Sequence, residues 1–321
     1  RLCRPRNIGN LPSNVLALPG GGGSGAYRFG VIGDPEDGMK VFERSLVSMR
    51  ERGCAFALIC GDLVKQPNAA AYDYFLAEFA EEAFPGPVFT VIGNHDGRRG
   101  DDALFRSHFG SPNFAFEFRG DLFVLIDNAR GMTDESKRFL EQTLREKRPG
   151  ARRAFVFAHC PFFRVAHHGT RMEPTPTAWF VEAERLFVRH GVDAVFAGHL
   201  HGYRREVREG VLHVVTGGAG GFLDEPEAFN HYVQVDVDEK GIRDSVVPLE
   251  ATSVGEYRAQ LLERILVRYI FFTFWTRPGM YLLLLLLVPL YLLSRGAGGP
   301  RGQSPATSAL RGLRHALAPR S

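Results

Sequence analysis

The chain has little cysteine, and its cysteines form no motif. The four are Cys3, Cys54, Cys60 and Cys160, and no two have CxxC spacing. This pattern excludes a zinc knuckle and a disulfide framework. It favours buried thiols that behave as small apolar side chains.

An excess of one charge is also lacking. The chain carries 39 Lys and Arg against 36 Asp and Glu, a net charge of +3, and the arginines are spread along it. This balance does not point to nucleic acid, so no nucleic-acid binding is expected. With 45% hydrophobic and 23% charged residues, the composition is that of a folded globular protein. It gives no sign of an obligate protein partner.

The first 26 residues are rich in Pro, Asn and Gly and end in PGGGGSG, which predicts a flexible N-terminal segment over residues 1–26. A phosphate-binding P-loop needs a Lys and a Ser or Thr after its glycines, and neither follows here. The sequence begins with Arg1, which leaves open whether a signal peptide precedes it.

From Tyr27 onward, short β-rich runs alternate with amphipathic helical segments. Strands are predicted at YRFGVIGD, AFALICGD, PVFTVIGNHD, LFVLIDNA, RAFVFAHCPF and VDAVFAGHLHG, with helices between most of them. Such alternation predicts βαβ units and a largely parallel sheet covered by helices. The helical pattern then stops, and two antiparallel hairpins are predicted to follow.

Five of these strands end in side chains that commonly bind metals. These are Asp34, Asp62, Asn94 with His95, His159, and His199 with His201. Each has an ordinary explanation alone, as a turn residue or a surface histidine, but five strand ends in register make coincidence a poor explanation. The carboxyl ends of parallel strands line one crevice, so these side chains are expected to converge.

The chemistry of this set favours two hard or borderline cations. Carboxylate, amide and imidazole ligands without thiolate suit manganese or iron, with zinc and magnesium as alternatives. Six or seven ligands are too many for one four-coordinate ion. They suit two divalent metal ions bridged by a shared carboxylate, the arrangement that serves phosphoryl transfer.

The order of these motifs resembles that of the calcineurin-like metallophosphoesterases, over roughly residues 27–249. The resemblance implies an α/β fold, a β-sandwich flanked by helices, with a dinuclear metal site at its rim. The implied ligands are Asp62 for both ions, Asp34 and His201 for the first, and Asn94, His159 and His199 for the second. The resemblance also implies that His95 faces the substrate as a general acid, and Asp96 is expected to orient it.

One position departs from the family pattern. Many members have Asp-x-His in the first motif, where GDPED places Glu36, and the purple acid phosphatase branch has Tyr where this chain has Lys65. The first ion therefore either uses Glu36 or lacks a protein ligand. A carboxylate here would favour manganese or iron(II).

Two further residues are weaker candidates for substrate binding. Arg98 follows the GNHD motif and could meet a second phosphate or a head group. His168 lies in the loop after His159 and could touch substrate. Exposed loop positions explain both residues equally well or better.

The composition changes near the C-terminus. Residues 278–294 carry no charge and would form roughly 26 Å of helix, which predicts a transmembrane helix that contacts membrane lipid. Residues 251–277 are then an amphipathic juxtamembrane segment with interfacial aromatics, and residues 295–321 a basic disordered tail. The predicted location is a membrane, crossed once; arginines balance on the two sides of the span, so its orientation stays open.

The sequence thus predicts a membrane-anchored hydrolase of phosphate esters, with residues 27–250 as the metallophosphoesterase domain. The resemblance implies a metal-bound hydroxide as nucleophile and a phosphomonoester or phosphodiester as substrate, with lipid-linked esters and nucleotides among the candidates. The alternative is a non-catalytic, metal-free scaffold of the same fold.

Overall fold

A computed structural model of the 321-residue chain describes residues 5–20, 25–36, 38–97, 102–163, 178–224 and 227–265. The chain divides into two compact units, residues 1–256 and residues 257–321. All strands of the described part lie in the first unit.

Helices and strands alternate through the first half of the chain. The helices of the described part are α1 Pro12–Leu16, α2 Met39–Glu51, α3 Ala69–Glu81, α4 Ala103–Phe109, α5 Asp134–Lys147, α6 Ala178–His190 and α7 Val254–Ile265. The strands are β1 Tyr27–Ile32, β2 Phe56–Ile59, β3 Val88–Thr90, β4 Phe114–Phe118, β5 Asp121–Leu125, β6 Ala154–Phe157, β7 Ala194–Ala197, β8 Tyr203–Arg208, β9 Val211–Thr216, β10 His231–Asp238 and β11 Gly241–Pro248.

The strands form two mixed sheets. The first has the order β11-β10-β1-β2-β3, and the second β4-β5-β6-β7-β9-β8. Strands β1, β2 and β3 are parallel, as are β5, β6, β7 and β9, whereas β4, β8, β10 and β11 pair antiparallel. The central strands of each sheet are therefore parallel, and their carboxyl ends lie at the same end of the sheet.

The two sheets pack face to face over a core rich in phenylalanine. Phe29 of β1 is fully buried, and its ring centroid lies 5.6 Å from that of Phe123 and 5.5 Å from that of Phe155 in the second sheet. Both contacts are edge-to-face, a favourable geometry for aromatic pairs. Such inward-facing rings bury both sheets, which explains why the strands read as nearly continuous apolar runs.

Helices cover the two outer faces. Phe42 and Leu46 of α2 and Phe75 of α3 pack with Ile32 and Ile59 of the first sheet. Leu140 and Leu144 of α5 and Phe187 of α6 pack in the same way with β5 and β6 of the second sheet. The prediction of two sheets flanked by helices is confirmed, and the prediction of one largely parallel sheet gives way to this pair of mixed sheets.

The N-terminal segment differs from the flexible lead-in predicted for residues 1–26. Ile8 forms a parallel β-bridge with Val88, and the Asn10 side chain donates to Thr90 O at 2.7 Å and accepts from Thr90 N at 3.0 Å. This amide satisfies the free backbone edge of β3 as another strand would. Residues 7–10 therefore belong to the folded unit.

No helix among the described residues is long and apolar enough to cross a membrane. The predicted span at residues 278–294 and the basic tail lie outside the described residues. Helix α7 falls within the predicted juxtamembrane segment, residues 251–277.

Candidate metal centre and active site

The predicted ligands lie just beyond the carboxyl ends of strands β1, β2, β3, β6 and β7. Four of the ligands have left-handed backbone conformations, with φ of 56° at Asp34, 43° at Glu36, 53° at Asp62 and 70° at His199. Such conformations are uncommon for residues other than Gly and persist only where the surroundings enforce them. The strand exits are therefore bent to turn these side chains into one crevice.

A close approach of two loops brings the GNHD motif to the site. A Cβ atom on Gly93 would lie 2.1 Å from Asp62 Oδ1 and 2.2 Å from Asp62 N. Only glycine allows the loops after β2 and β3 to meet this closely. The His95 backbone N–H donates to Asp62 Oδ1 at 2.8 Å, which locks the two loops together.

Asn94, His159 and His199 form the tightest cluster. Asn94 Oδ1 lies 2.7 Å from His159 Nε2 and 2.9 Å from His199 Nδ1, and these two ring nitrogens are 3.1 Å apart. His159 is fully buried, and its Nδ1 lies 2.9 Å from Cys60 O, which can only accept. The ring must therefore carry its proton on Nδ1, so that Nε2 presents a lone pair to the cluster.

Burial keeps this imidazole neutral. Loss of solvent lowers the pKa of His159 to about 4, because the buried ring cannot be hydrated as a cation. A neutral ring with a fixed tautomer is the form that binds a metal, so His159 needs no proton release at neutral pH.

The carboxylates crowd together beside this cluster. Asp34, Asp62 and Glu36 are all buried, and Asp62 Oδ2 lies 3.5 Å from His159 Nε2. Burial raises the pKa of Asp34 well above its usual range, and the neighbouring charges of Asp62 and Glu36 raise it further. Several ionised carboxylates at such a place are stable only beside compensating cations.

His201 and Glu36 complete the other side of the crevice. His201 Nε2 lies 3.7 Å from Asp34 Oδ1 and 3.9 Å from Glu36 Oε1, while its Nδ1 lies 2.6 Å from Phe222 O. The carbonyl fixes the proton on Nδ1, as Cys60 does for His159, so Nε2 is free to bind a cation. Glu36 turns into the site, where its Oε1 lies near Nε2 of His201.

Among the residues that the structure describes, three groups of His, Cys, Asp and Glu side chains have ligand atoms within 4.8 Å of one another. They are Asp34 with Asp62 and His159; Glu36 with Asp62 and His95; and His159 with Cys160 and His199. Asp62 belongs to two of the groups. The donors are mostly oxygen and imidazole nitrogen, the ligand atoms that divalent cations such as manganese, iron and zinc take.

The family of the chain follows from a comparison with known proteins. A family model described as calcineurin-like phosphoesterase matches residues 27–203. The chain belongs to this family. The matched region runs from β1 to the start of β8 and contains every predicted ligand named above, from Asp34 to His201.

Other calcineurin-like phosphoesterases have related sequences and folds. Serine/threonine-protein phosphatase CPPED1 from Bos taurus is 25% identical over 227 residues, which cover 60% of this chain and 72% of that protein. Purple acid phosphatase PPD1 from yellow lupin seeds has a TM-score of 0.59 at 17% identity, covering 72% of this chain and 54% of its own. A dimetal phosphatase from Danio rerio has a TM-score of 0.53 at 17% identity, covering 70% and 99%. The two structures establish the shared fold.

His95 borders the site without lying at its centre. Its Nδ1 is 2.9 Å from Lys65 O, and its Nε2 is 3.9 Å from Glu36 Oε1. The side chain is 40% exposed, so the ring lies at the mouth of the site and not in its interior. Since the Lys65 carbonyl can only accept, Nδ1 carries a proton and Nε2 faces the crevice, where it can exchange a proton with a bound molecule.

Asp96 does not orient His95 as the sequence analysis expected. Its Oδ2 accepts from Gly93 N at 2.8 Å, and its Oδ1 accepts from Leu63 N at 3.0 Å and Val64 N at 3.4 Å. The carboxyl is buried and ties the loop after β3 to the loop after β2. The Lys65 carbonyl orients the His95 ring instead. Lys65 directly follows Val64, whose backbone N–H donates to Asp96, so Asp96 acts on His95 only through this backbone.

Two residues that hold segments of the site in place were not predicted from the sequence. Arg130 donates to Asn94 O at 2.9 Å and also to Gly97 O, so a guanidinium braces the GNHD loop from outside. Asn128 is buried and accepts from His159 N at 3.0 Å and Cys160 N at 2.9 Å. The only signal for either residue was its position after the strand LFVLIDNA. The proposed substrate residues Arg98 and His168 lie outside the described residues.

Asn128 should prove important for metal binding although it touches no metal position. We expect Asn128→Ala to weaken affinity for a divalent ion about tenfold, because the backbone of His159 loses its anchor. Loss of three hydrogen bonds, one buried and two partly buried, should also lower the free energy of unfolding by about 2 kcal/mol. Calorimetric titration with Mn²⁺ and urea unfolding would measure the two effects.

Asn14→Ala is a matched control, since Asn14 is a buried amide that donates to Gly9 O at 2.8 Å in the N-terminal segment. It should lower stability and leave Mn²⁺ affinity unchanged. Equal affinities in Asn128→Ala and wild type would show that the anchor is dispensable.

Metal affinity should rise with pH. The raised pKa of Asp34 means that the metal-free site holds a proton at a pH where an ordinary aspartate is ionised, and a cation must displace it. Each displaced proton makes affinity increase about tenfold per pH unit below that pKa. Mn²⁺ titrations between about pH 5 and 8, in two buffers of different ionisation enthalpy, would measure the slope and the proton release. A flat profile would contradict the raised pKa.

Proposed function

We propose that the protein is a hydrolase of phosphate esters that uses two divalent metal ions. The observation that carries the proposal is the convergence of buried carboxylates with two imidazoles whose tautomers are fixed by backbone carbonyls. This arrangement is costly in a metal-free protein and suited to binding cations. Phosphatase relatives in the same family support the reaction class.

The ligands divide into two sets around Asp62. Asp34, Glu36 and His201 would hold the first ion, and Asn94, His159 and His199 the second. The carboxylate of Asp62 would serve both, since it lies within 4.8 Å of ligand atoms of Asp34 and Glu36 from the first set and of His159 from the second. Glu36 adds a negative charge to the first set, which favours manganese or iron(II), with zinc and magnesium as alternatives.

When bound, such ions polarise phosphate oxygens and lower the pKa of water. The chain supplies the remaining steps. As the imidazolium, with a proton on each ring nitrogen, His95 donates its Nε2 proton to the departing alkoxide, and the neutral ring that remains keeps its Nδ1 proton toward the Lys65 carbonyl. The bond from His95 N to Asp62 Oδ1 keeps this acid at a constant distance from the ligand set. Lys65, whose Nζ is 3.7 Å from Glu36 Oε2, adds positive charge that attracts an anionic ester.

The substrate is proposed only as a class. Phosphomonoesters and phosphodiesters both fit the ligand set, and lipid-linked esters or nucleotides are candidates. Residues 278–294 remain the proposed membrane anchor, on the strength of their uncharged sequence alone. An anchor of this kind would favour a substrate at the lipid surface, without changing the chemistry.

The proposal is tested by metal analysis and hydrolysis with the full chain. We expect two equivalents of Mn²⁺ or Fe²⁺ to bind and to activate hydrolysis of a chromogenic phosphomonoester, a phosphodiester, or both. The ratio of the two rates assigns the substrate class. A folded protein that binds no divalent ion and hydrolyses neither ester would refute the proposal and favour the scaffold.

A further inference from the structure

The segment after β9 is tied closely to the candidate site. Gly221 N donates to Asp34 O at 2.8 Å, and Phe222 O lies 2.6 Å from His201 Nδ1. Asp224 accepts from His201 N at 2.8 Å and donates its own N–H to His201 O at 3.1 Å. The Phe222 carbonyl and the carboxylates of Asp34 and Glu36 therefore lie on opposite sides of the His201 ring.

This close contact depends on Gly221. A Cβ atom there would lie 2.7 Å from Cε1 of His201 and 3.0 Å from its Nδ1. Any other residue would push the segment away from the histidine. The sequence thus provides for the contact, which distinguishes this segment from a loop that passes the site by chance.

The side chain of Phe222 is exposed despite its fixed backbone. It is 83% exposed, whereas Phe229 in the same connection is 43% exposed, with its ring 5.1 Å from that of His231. Aromatic rings contribute most when both faces are covered. Phe222 presents its ring to solvent beside a site that would bind an anion.

The segment that carries Phe222 borders the side of the site where a leaving group would depart. His201 Nε2 and His95 Nε2 each lie 3.9 Å from the same atom, Glu36 Oε1. The segment held by His201 and the proposed acid His95 therefore flank one part of the crevice. A phosphate ester whose leaving alkoxide faces His95 would extend its organic group along this rim.

We propose that Phe222 is a specificity-determining residue that stacks on an aromatic ring in the organic group of the substrate. The inference rests on the proposed function and adds to it a substrate class, the phosphate esters of alcohols that carry an aromatic ring. Phe222 acts on affinity through its exposed face and takes no part in bond breaking. A stacked pair of this kind strengthens binding by about 2- to 10-fold.

Two non-hydrolysable phosphonates test the proposal on the Mn²⁺-loaded full chain. Phenylphosphonate and methylphosphonate present the same anionic group and differ in the ring. We expect calorimetry to show phenylphosphonate binding about 2- to 10-fold more tightly to wild type. Phe222→Ala should lose this preference without a change in methylphosphonate affinity. Phe222→Tyr should keep it, and Phe229→Ala is the matched control that should also keep it.

A preference that survives in folded Phe222→Ala protein would overturn the assignment. So would loss of binding to phosphatidylcholine and phosphatidylserine vesicles in Phe222→Ala with the phosphonate preference intact, since Phe222 would then contact lipid. If wild type loaded with metal fails to bind methylphosphonate, the proposed function itself fails. Binding of methylphosphonate with no preference for the phenyl ring overturns only the role of Phe222.

Discussion

Replacing Asp62 with Asn is expected to lower kcat/KM for a phosphate ester by about 10³-fold and to make the metal-free protein more stable. The amide keeps the size of the side chain. Its oxygen can still accept from His95 N, which lies 2.8 Å from Asp62 Oδ1 in the wild type. What changes is one negative charge that both metal positions would share. Loss of a group that acts on the transition state through two cations costs about this much.

The gain in stability has a separate cause. Asp62 raises the pKa of both Asp34 and Asp96, second only to burial in each case. Removing its charge relieves that repulsion, which should increase the free energy of unfolding by on the order of 1 kcal/mol in the absence of metal. With metal present the sign should reverse, because the variant loses a ligand.

Chelator-treated and Mn²⁺-loaded samples of both proteins, unfolded in urea, would measure the two signs. Asp134→Asn is the matched control, because Asp134 is an exposed aspartate in the first turn of α5. It should alter neither activity nor metal-dependent stability. A metal-free Asp62→Asn protein less stable than wild type would show that the carboxylate is stabilised by contacts other than cations.

The convergence of these side chains was predictable because it follows from strand periodicity. Asp34, Asp62, Asn94, His159 and His199 each come directly after a β-rich apolar run. Parallel strands bring such positions together whatever their separation along the chain. No side-chain contact had to be known for this inference, only the direction and end of each strand.

Residues that hold the ligands in place were harder to find. Asp96 was identified but given the wrong partner, because adjacency to His95 suggested a contact that the backbone turn prevents. Arg130 and Asn128 donate to or accept from backbone groups 31 to 36 positions away. Polar contacts between a side chain and a distant backbone leave no periodic pattern in sequence.

Asn10 illustrates the same limit in the N-terminal segment. The N-terminal segment is rich in Pro, Asn and Gly, which is the composition of a flexible linker. Asn10 nevertheless contacts Thr90 and Ser111 through its side-chain amide. The amide replaces the missing neighbour of β3. Composition indicates the conformational preference of an isolated segment. It does not indicate that the segment will form hydrogen bonds with the free edge of a sheet.

His95→Ala should produce a loss of activity that depends on the leaving group. Without the acid, an alkoxide of high pKa departs unprotonated, and we expect kcat for an alkyl phosphate to fall by 10²- to 10³-fold, on the order of general acid catalysis. A nitrophenolate needs little protonation, so hydrolysis of its ester should fall far less. Steady-state kinetics with the two esters, and metal analysis of the variant, would measure both expectations.

The number of metal ions bound to the His95→Ala variant shows whether His95 is a general acid or a metal ligand. Its Nδ1 faces Lys65 O, so removing the ring should leave two ions bound. Loss of one ion, or an equal fall in rate for both esters, would place His95 among the ligands. His190→Ala, at the half-buried last residue of α6, should change neither rate.

The Asp96→Asn variant shows whether Asp96 holds the loop after β3 in place or orients the proposed general acid His95. An amide has one acceptor oxygen where the carboxylate uses two, so at least one of the N–H groups of Gly93, Leu63 and Val64 would lose its partner. Stability should fall by about 1 to 3 kcal/mol, with both esters affected alike. A selective loss for the alkyl ester would instead mean that the carboxylate tunes His95. Because the Lys65 carbonyl already fixes the imidazole, we expect the uniform effect.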